Sequence, residues 1–342
     1  MGKPKVFVVQ PIMDIGVEAL SAFAEVDIVQ SDRMIGRPDL LRGVADADFL
    51  FMLGDTPIDQ EVIDAAPRLK GIATMALFPN VVDVAAATAR GIPVTVVPHV
   101  ITRTTCDLTL AILLGLAWRL IEADRFTRAG RFHQEQSTSF LTTELSGKVV
   151  GMIGLGDIGS EIVKRVRAFD MEVAYTKRNR LSLDREQALG VTWVSELDEL
   201  LRMADFVVVM TTYNPSTHLL IGAREFGLMK PTAFFINTAR GRIVDEGALI
   251  DALRENRLAG AGLDVYWHEP PVGEPAPSPE LYDFPNVILT PHIGSATKEA
   301  RNAMTMAVVE NLRAMISGDR PPNLVNPEIY GEQKLVPSDR TG

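Results

Sequence analysis

The chain has 342 residues, a formal net charge of −10 and a hydrophobic share of 46%. That length suits two domains, each with its own core, and the acidic balance argues against nucleic acid or an anionic membrane as the main partner. Cys106 is the one cysteine, which excludes an intrachain disulfide and points to a reducing compartment.

The N-terminus passes from Lys3 and Lys5 into a short apolar run ending before Pro11. That run is too short for a signal peptide or a membrane span, and no later run reaches membrane length, so a cytoplasmic protein is expected. Residues 5–9, 26–29, 49–53, 69–74 and 93–97 then read as strands, with helices between them around 17–23, 40–44, 61–66 and 84–90. Such β/α alternation predicts a parallel sheet with helices on both faces. Leu108, Ile112, Leu116 and Leu120 share a face, which predicts one long core helix over 104–127 crossing into a second domain. Residues 126–144 are polar and irregular.

Lys148 to Arg180 is the most informative stretch. Val149–Ile153 has the length of a buried strand, and Gly154, Gly156 and Gly159 spell G-x-G-x-x-G. Ile162, Val163, Val166 and Phe169 follow at helical spacing, and Met171–Tyr175 supplies a second strand. The glycines permit a tight turn, a close pyrophosphate approach and tight helix packing, while the helix N-terminus offers free N–H groups. A bound dinucleotide is expected. An NAD site usually carries Asp or Glu at the tip of the second strand. Here Lys177, Arg178, Asn179 and Arg180 stand there instead, a cluster suited to the 2′-phosphate of NADP, with NAD the lesser expectation.

Further strands are expected at 192–194, 206–210, 233–236, 261–264 and 287–289, with a helix beginning near Asp245 and a last one over 296–317 that returns to the first domain. A Pro-rich loop spans 270–279. The fold class expected is α/β, two doubly wound parallel-sheet domains. Residues 1–103 and 296–330 would form a split substrate-binding domain, 104–295 a Rossmann NAD(P)-binding domain, and 331–342 a polar tail. No repeat and no metal-ligand spacing is present.

In a doubly wound sheet, ligands collect at the carboxyl ends of the strands. Arg240, Glu269 and His292 each follow such an end. Reduction of a carbonyl by hydride needs a proton donor for the nascent alkoxide, and His suits that near neutral pH. A nearby carboxylate favours the imidazolium. An Arg can grip a substrate carboxylate with two bonds and polarise the adjoining ketone.

The motifs GLGDIG (154–159), NTARGRIVDE (237–246), AGLDVYWHEPP (261–271) and TPHIGSAT (290–297) resemble those of the D-isomer-specific 2-hydroxyacid dehydrogenases, and the resemblance runs from about Lys5 to Pro327. It implies a flavodoxin-like substrate domain split around an inserted Rossmann domain, and a homodimer. It implies that Arg240 binds substrate, that His292 is the acid/base supported by Glu269, that Asp264 helps hold the nicotinamide amide, and that Thr238 and Ala239 line the cofactor cleft. Asp157, Ile158, Thr211 and Gly294 are assigned to the cofactor as well. The turn at 175–180 resembles the NADP-using glyoxylate/hydroxypyruvate reductase branch.

One departure stands out. The family commonly has a Gly-rich loop that binds the substrate carboxylate through backbone N–H groups, whereas this chain reads Met75-Ala76-Leu77-Phe78-Pro79-Asn80. Ala76, Leu77 and Phe78 can still donate from the backbone, and their bulk favours a 2-oxo acid with an apolar side chain. The implied activity is NADP-dependent interconversion of a 2-oxo acid and a D-2-hydroxy acid. An alternative is a nucleotide-sensing protein resembling the C-terminal-binding corepressors, which share the fold. His99, His133, His218 and His268 read as surface or structural residues, with His133 a candidate to reach a partner's site in a dimer. Cys106 and the 13 Met read as packing.

Overall fold

The computed structural model describes residues 2–31, 33–98, 100–132, 138, 140–269 and 276–331. The chain divides into two compact units, one made of residues up to Val100 together with those from Lys298 onward, the other of Ile101–Thr297. His99, His133, most of the Pro-rich loop and all but Gly331 of the expected tail lie outside the described residues.

In the first unit, β1 (Lys5–Val8), β2 (Glu25–Ile28), β3 (Phe49–Leu53), β4 (Gly71–Met75) and β5 (Val94–Thr95) form a parallel sheet in the order β2-β1-β3-β4-β5. That is the flavodoxin-like order. The helices α1 (Asp14–Ser21), α2 (Arg37–Val44), α3 (Gln60–Asp64) and α4 (Val84–Ala89) connect the strands. Leu50, Met52 and Ile72 meet Leu40, Val44, Val62 and Ile63 in one core. Such apolar runs are what a parallel sheet covered on both faces requires.

The second unit opens with α5 (Thr102–Ala117) and α6 (Leu120–Arg128). The single helix expected over 104–127 is in fact two, bent by 61°. The break is at Arg119, which takes a left-handed φ of 50°. A non-glycine residue at such a φ needs support. Its guanidinium donates to Glu122 at 2.6 and 3.0 Å and lies 5.2 Å over the Phe140 ring. Among the described residues no single helix is long and apolar enough to cross a membrane; only this bent pair taken together has that length and apolar composition. Ile112, Leu113 and Leu116 of α5 are buried in the unit's core.

Seven strands follow: β6 (Val149–Ile153), β7 (Glu172–Thr176), β8 (Thr192–Trp193), β9 (Phe206–Val209), β10 (Phe234–Asn237), β11 (Gly260–Leu263) and β12 (Val287–Leu289). They lie parallel in the order β12-β11-β10-β9-β6-β7-β8. The order reverses between β6 and β9, the switch point at which such sheets bind ligands. The alternate residues of each strand supply two cores. Val150, Met152, Val208 and Ile236 face α5 and α7 (Asp157–Val166). Ile153, Val207, Val209 and Phe235 face α9 (Leu197–Met203), α10 (Ala223–Leu228) and α11 (Glu246–Arg254), while α8 (Leu183–Leu189) precedes β8 in the chain. The chain ends its helical run with α12 (Lys298–Ser317) in the first unit. There Gly16 admits Thr305 so closely that a Cβ would lie 2.2 Å from Thr305 Cγ2.

The register puts the last residues of six strands in one row. Ile153 lies opposite Thr176 and Val209, Val209 opposite Asn237, Asn237 opposite Leu263, and Leu263 opposite Leu289. The residues just beyond this row are Gly154, Lys177, Met210, Thr238, Asp264 and Thr290. The candidate site is therefore a single edge of one sheet.

Candidate active site

The glycine turn begins at Gly154, whose φ is +88°. A side chain there would be strained and would press on Met210 O and Thr211 Cα, at 2.8 and 2.9 Å from a built Cβ. Thr211 thus borders the turn through its backbone. Gly156 caps α7 from an extended conformation without a side-chain bond. A Cβ at Gly156 would meet nothing within 4 Å, so the space above the α7 N-terminus is open to a pyrophosphate. Gly159 brings the helix down on Leu155 and Met152, while Asp157 opens α7 and Ile158 packs against the core beneath it. These residues fit a dinucleotide.

The basic tip of β7 is divided. Lys177 Nζ donates to Leu155 O of the glycine turn at 2.9 Å, and Arg178 Nη2 donates to Ser216 Oγ at 3.2 Å. Asn179 is exposed. Arg180 instead forks onto Glu186, with Nε–Oε1 2.8 Å and Nη2–Oε2 2.7 Å. Sequence reasoning missed Glu186 because it lies six residues on, inside α8, and only the fold turns it back to the strand.

On the other side of the switch point, Asn237 is 1% exposed and clamps its own loop. Its Oδ1 accepts from Ala239 N at 3.0 Å and its Nδ2 donates to Arg240 O at 3.0 Å. Thr238 is buried and shares a hydrogen bond of 2.8 Å with Thr109 of α5. Arg240 is exposed, its Nη1 donating to Ala239 O at 2.6 Å. The next residue must be glycine, since a Cβ on Gly241 would lie 1.8 Å from Tyr266 O. Asn237 was not among the residues expected from sequence, although its motif was.

His292 Nδ1 lies 3.4 Å from Glu269 Oε1, and the same carboxylate oxygen accepts from Tyr266 N at 3.2 Å. Glu269 holds the His292 pKa above its ordinary value, chiefly by its hydrogen bond; burial and the charge of Arg240 pull the other way. Of the three residues expected to act together, His292 and Glu269 are in contact, while the side chain of Arg240 bonds to Ala239 O. His292 has a φ of 53°, and its N–H closes a tight turn over Pro291 onto Thr290 O at 3.0 Å. A non-glycine residue keeps such a φ only where its surroundings constrain it.

Asp264 supplies the constraint. It is 1% exposed. Its Oδ1 accepts from Thr290 Oγ1 at 2.6 Å and Ile293 N at 2.8 Å, and its Oδ2 accepts from Gly294 N at 2.8 Å. Asp264, expected from sequence to help hold the nicotinamide amide, brackets the loop that bears His292. Gly294 is engaged at both ends, its carbonyl accepting from Thr105 Oγ1 at 2.9 Å. The Tyr266 hydroxyl donates to Thr290 O at 2.7 Å, and burial pushes its phenol pKa up.

In the first unit, the segment after β4 places Ala76 and Leu77 half-buried and Phe78 exposed. Among the remaining histidines, His218 lies beside Tyr213 and Trp267, and His268 sits in an isolated bridge with Ala276. The described residues hold no cluster of His, Cys, Asp and Glu fit for a metal ion. Burial pushes the Cys106 thiol up to about 11, as a packing residue requires.

A doubly wound sheet with an open glycine turn and an Arg, Glu and His at its carboxyl edge defines a nicotinamide-nucleotide oxidoreductase. Residues 110–294 match the family model for the NAD-binding domain of D-isomer-specific 2-hydroxyacid dehydrogenases, and the chain belongs to that family. It is 43% identical over 336 residues to the glyoxylate reductase of Thermococcus gammatolerans, covering 97% of this chain and 98% of that one. The TT0316 protein of Thermus thermophilus superposes with a TM-score of 0.87 at 38% identity, over 94% of this chain and 99% of the other. An NADPH-dependent glyoxylate/hydroxypyruvate reductase of Sinorhizobium meliloti, solved with NADP and malonate, gives 0.79 at 32% identity over 95% and 97%. The protein is a dehydrogenase/reductase. These likenesses lend no support to the corepressor alternative.

Proposed function

We propose that the protein is an NADP-dependent reductase of 2-oxo acids. The observation that carries this is the His292–Glu269 pair, influenced by the charge of Arg240, at the edge of the sheet that bears the open glycine turn. The nicotinamide, when bound, supplies the hydride. Arg240 grips the substrate carboxylate and polarises the carbonyl. Glu269 occupies Nδ1 of His292, so the proton goes from Nε2 to the nascent alkoxide. Asp264 and Tyr266 hold the loop that aims the ring, and the backbone N–H groups of Ala76, Leu77 and Phe78 are proposed as further substrate donors.

For the cofactor, Lys177 and Arg178 at the tip of β7 support NADP, as does the absence of a carboxylate at residues 177–180. For the substrate, Leu77 and Phe78 favour an apolar 2-oxo acid, whereas the name of the Thermococcus relative favours glyoxylate. The exposed apolar residues Trp118, Leu120 and Ile121 around the α5–α6 bend support a homodimer. The test is oxidation of NADPH, with NADH in parallel, across glyoxylate, hydroxypyruvate, phenylpyruvate and branched 2-oxo acids. No turnover on any of them would refute the reductase reading; equal use of NADH would refute the NADP reading.

A further inference from the structure

The sheet order sets the cations at the tip of β7 on two different sides. β6 and then β9 lie to one side of β7, and β8 lies to the other. Lys177 reaches the glycine turn that follows β6, and Arg178 reaches Ser216 beyond β9. Both lean toward the strands over which a dinucleotide would lie. Arg180 leans the opposite way, its guanidinium 4.8 Å over the ring of Trp193 on β8, a cation–π contact.

Glu186 is the hub of this outer side. Its side chain is 9% exposed. Besides the fork from Arg180, it accepts the hydroxyl of Tyr175 at 2.5 Å. Tyr175 is 0% exposed, and the same hydroxyl oxygen accepts from Leu181 N at 3.0 Å. Arg180 and Tyr175 hold the Glu186 carboxyl down to about 2. The two ends of the turn, at Tyr175 and at residues 180–181, are thus tied to one carboxylate.

We propose that Glu186 is the positioning residue for cofactor choice. It withdraws Arg180 from the adenosine ribose, so that Lys177 and Arg178 alone meet the 2′ substituent. Arg180 then acts on the cofactor only indirectly, by cancelling the charge of Glu186. This inference rests on the NADP reading above.

The test compares E186Q, R180Q and the double variant, with dissociation constants for NADPH and NADH from nicotinamide fluorescence. R180Q leaves a bare carboxylate near the site of the 2′-phosphate, so it should weaken NADPH by roughly fivefold and leave NADH unchanged. The double variant removes both charges and should bind NADPH within about twofold of the wild type, given screening at the surface. A double variant as weak as R180Q would make Arg180 a phosphate ligand and overturn the proposal. If R180Q fails to fold, E186Q decides: it should tighten NADPH without changing NADH, and a loss for NADPH, or an equal loss for both, overturns it. Failure of the NADP reading itself shows earlier, as a wild-type protein with no preference between the two cofactors.

Discussion

The Nδ1 atom of His292 stands 3.4 Å from Oε1 of Glu269, and that contact raises the pKa of the ring. With His292 as the proposed proton donor, reduction requires the imidazolium, so the rate should fall as pH rises through the His292 pKa. In Glu269→Gln the charged neighbour is lost, the pKa drops, and the falling limb of kcat/KM moves to lower pH. A pH profile superposable on the wild type would sink this assignment. His292→Ala should lower kcat by roughly 10²–10⁴-fold while NADPH still binds, as fluorescence titration would show.

Asp264→Asn tests the bracket around the loop that bears His292. An amide at this buried position would oppose its NH₂ group to at least one of the donors from Thr290, Ile293 and Gly294. A buried donor left without an acceptor costs about 1–3 kcal/mol, so the melting temperature should fall. Asp264 also raises the His292 pKa, so the pH limb should shift down as in Glu269→Gln. A stability loss with an unmoved pH profile would make Asp264 purely structural.

Cofactor choice is tested at Arg178. One charge-assisted bond to a phosphate is worth about 1.5–3 kcal/mol, so Arg178→Ala should raise KM for NADPH by roughly 10- to 100-fold. KM for NADH should hardly change. A matched rise for both cofactors would place Arg178 outside 2′-phosphate recognition.

Gly241 follows Arg240 where the backbone of Tyr266 approaches closely. A methyl group at Gly241 would collide with Tyr266 O at 1.8 Å, backbone against backbone, with no flexible side chain to yield. Gly241→Ala should cost about 2–3 kcal/mol, the scale of overpacking, and should raise KM for the 2-oxo acid as Arg240 shifts. Unchanged thermal stability would show that the loop has room to move.

Substrate preference turns on Leu77 and Phe78. If their bulk selects apolar side chains, kcat/KM for phenylpyruvate exceeds that for glyoxylate, and Phe78→Gly narrows the gap. A strong bias toward glyoxylate in the wild type would reject that preference and leave the reductase reading intact.

Much of this was legible along the chain because parallel strands buried on both faces must be short apolar runs. Glycines at a phosphate turn likewise leave a fixed spacing, so the strands, the 154–159 turn and the trio Arg240, Glu269 and His292 could be placed from local pattern alone. The break at Arg119 could not, because periodicity reports which residues face a core and not whether the axis bends; Glu122 and Phe140 stabilise that bend. Nor could the fate of the basic turn. Three cations in four residues read alike in one dimension, and only the sheet order, with α8 folded back, sends Arg180 to Glu186, Lys177 to the glycine turn and Arg178 to Ser216. Asp264 shows the same division. Its place at a strand end is written in the sequence, but its partners at 290–294 lie 26–30 residues on, and parallel pairing of β11 with β12 is what brings them within a hydrogen bond.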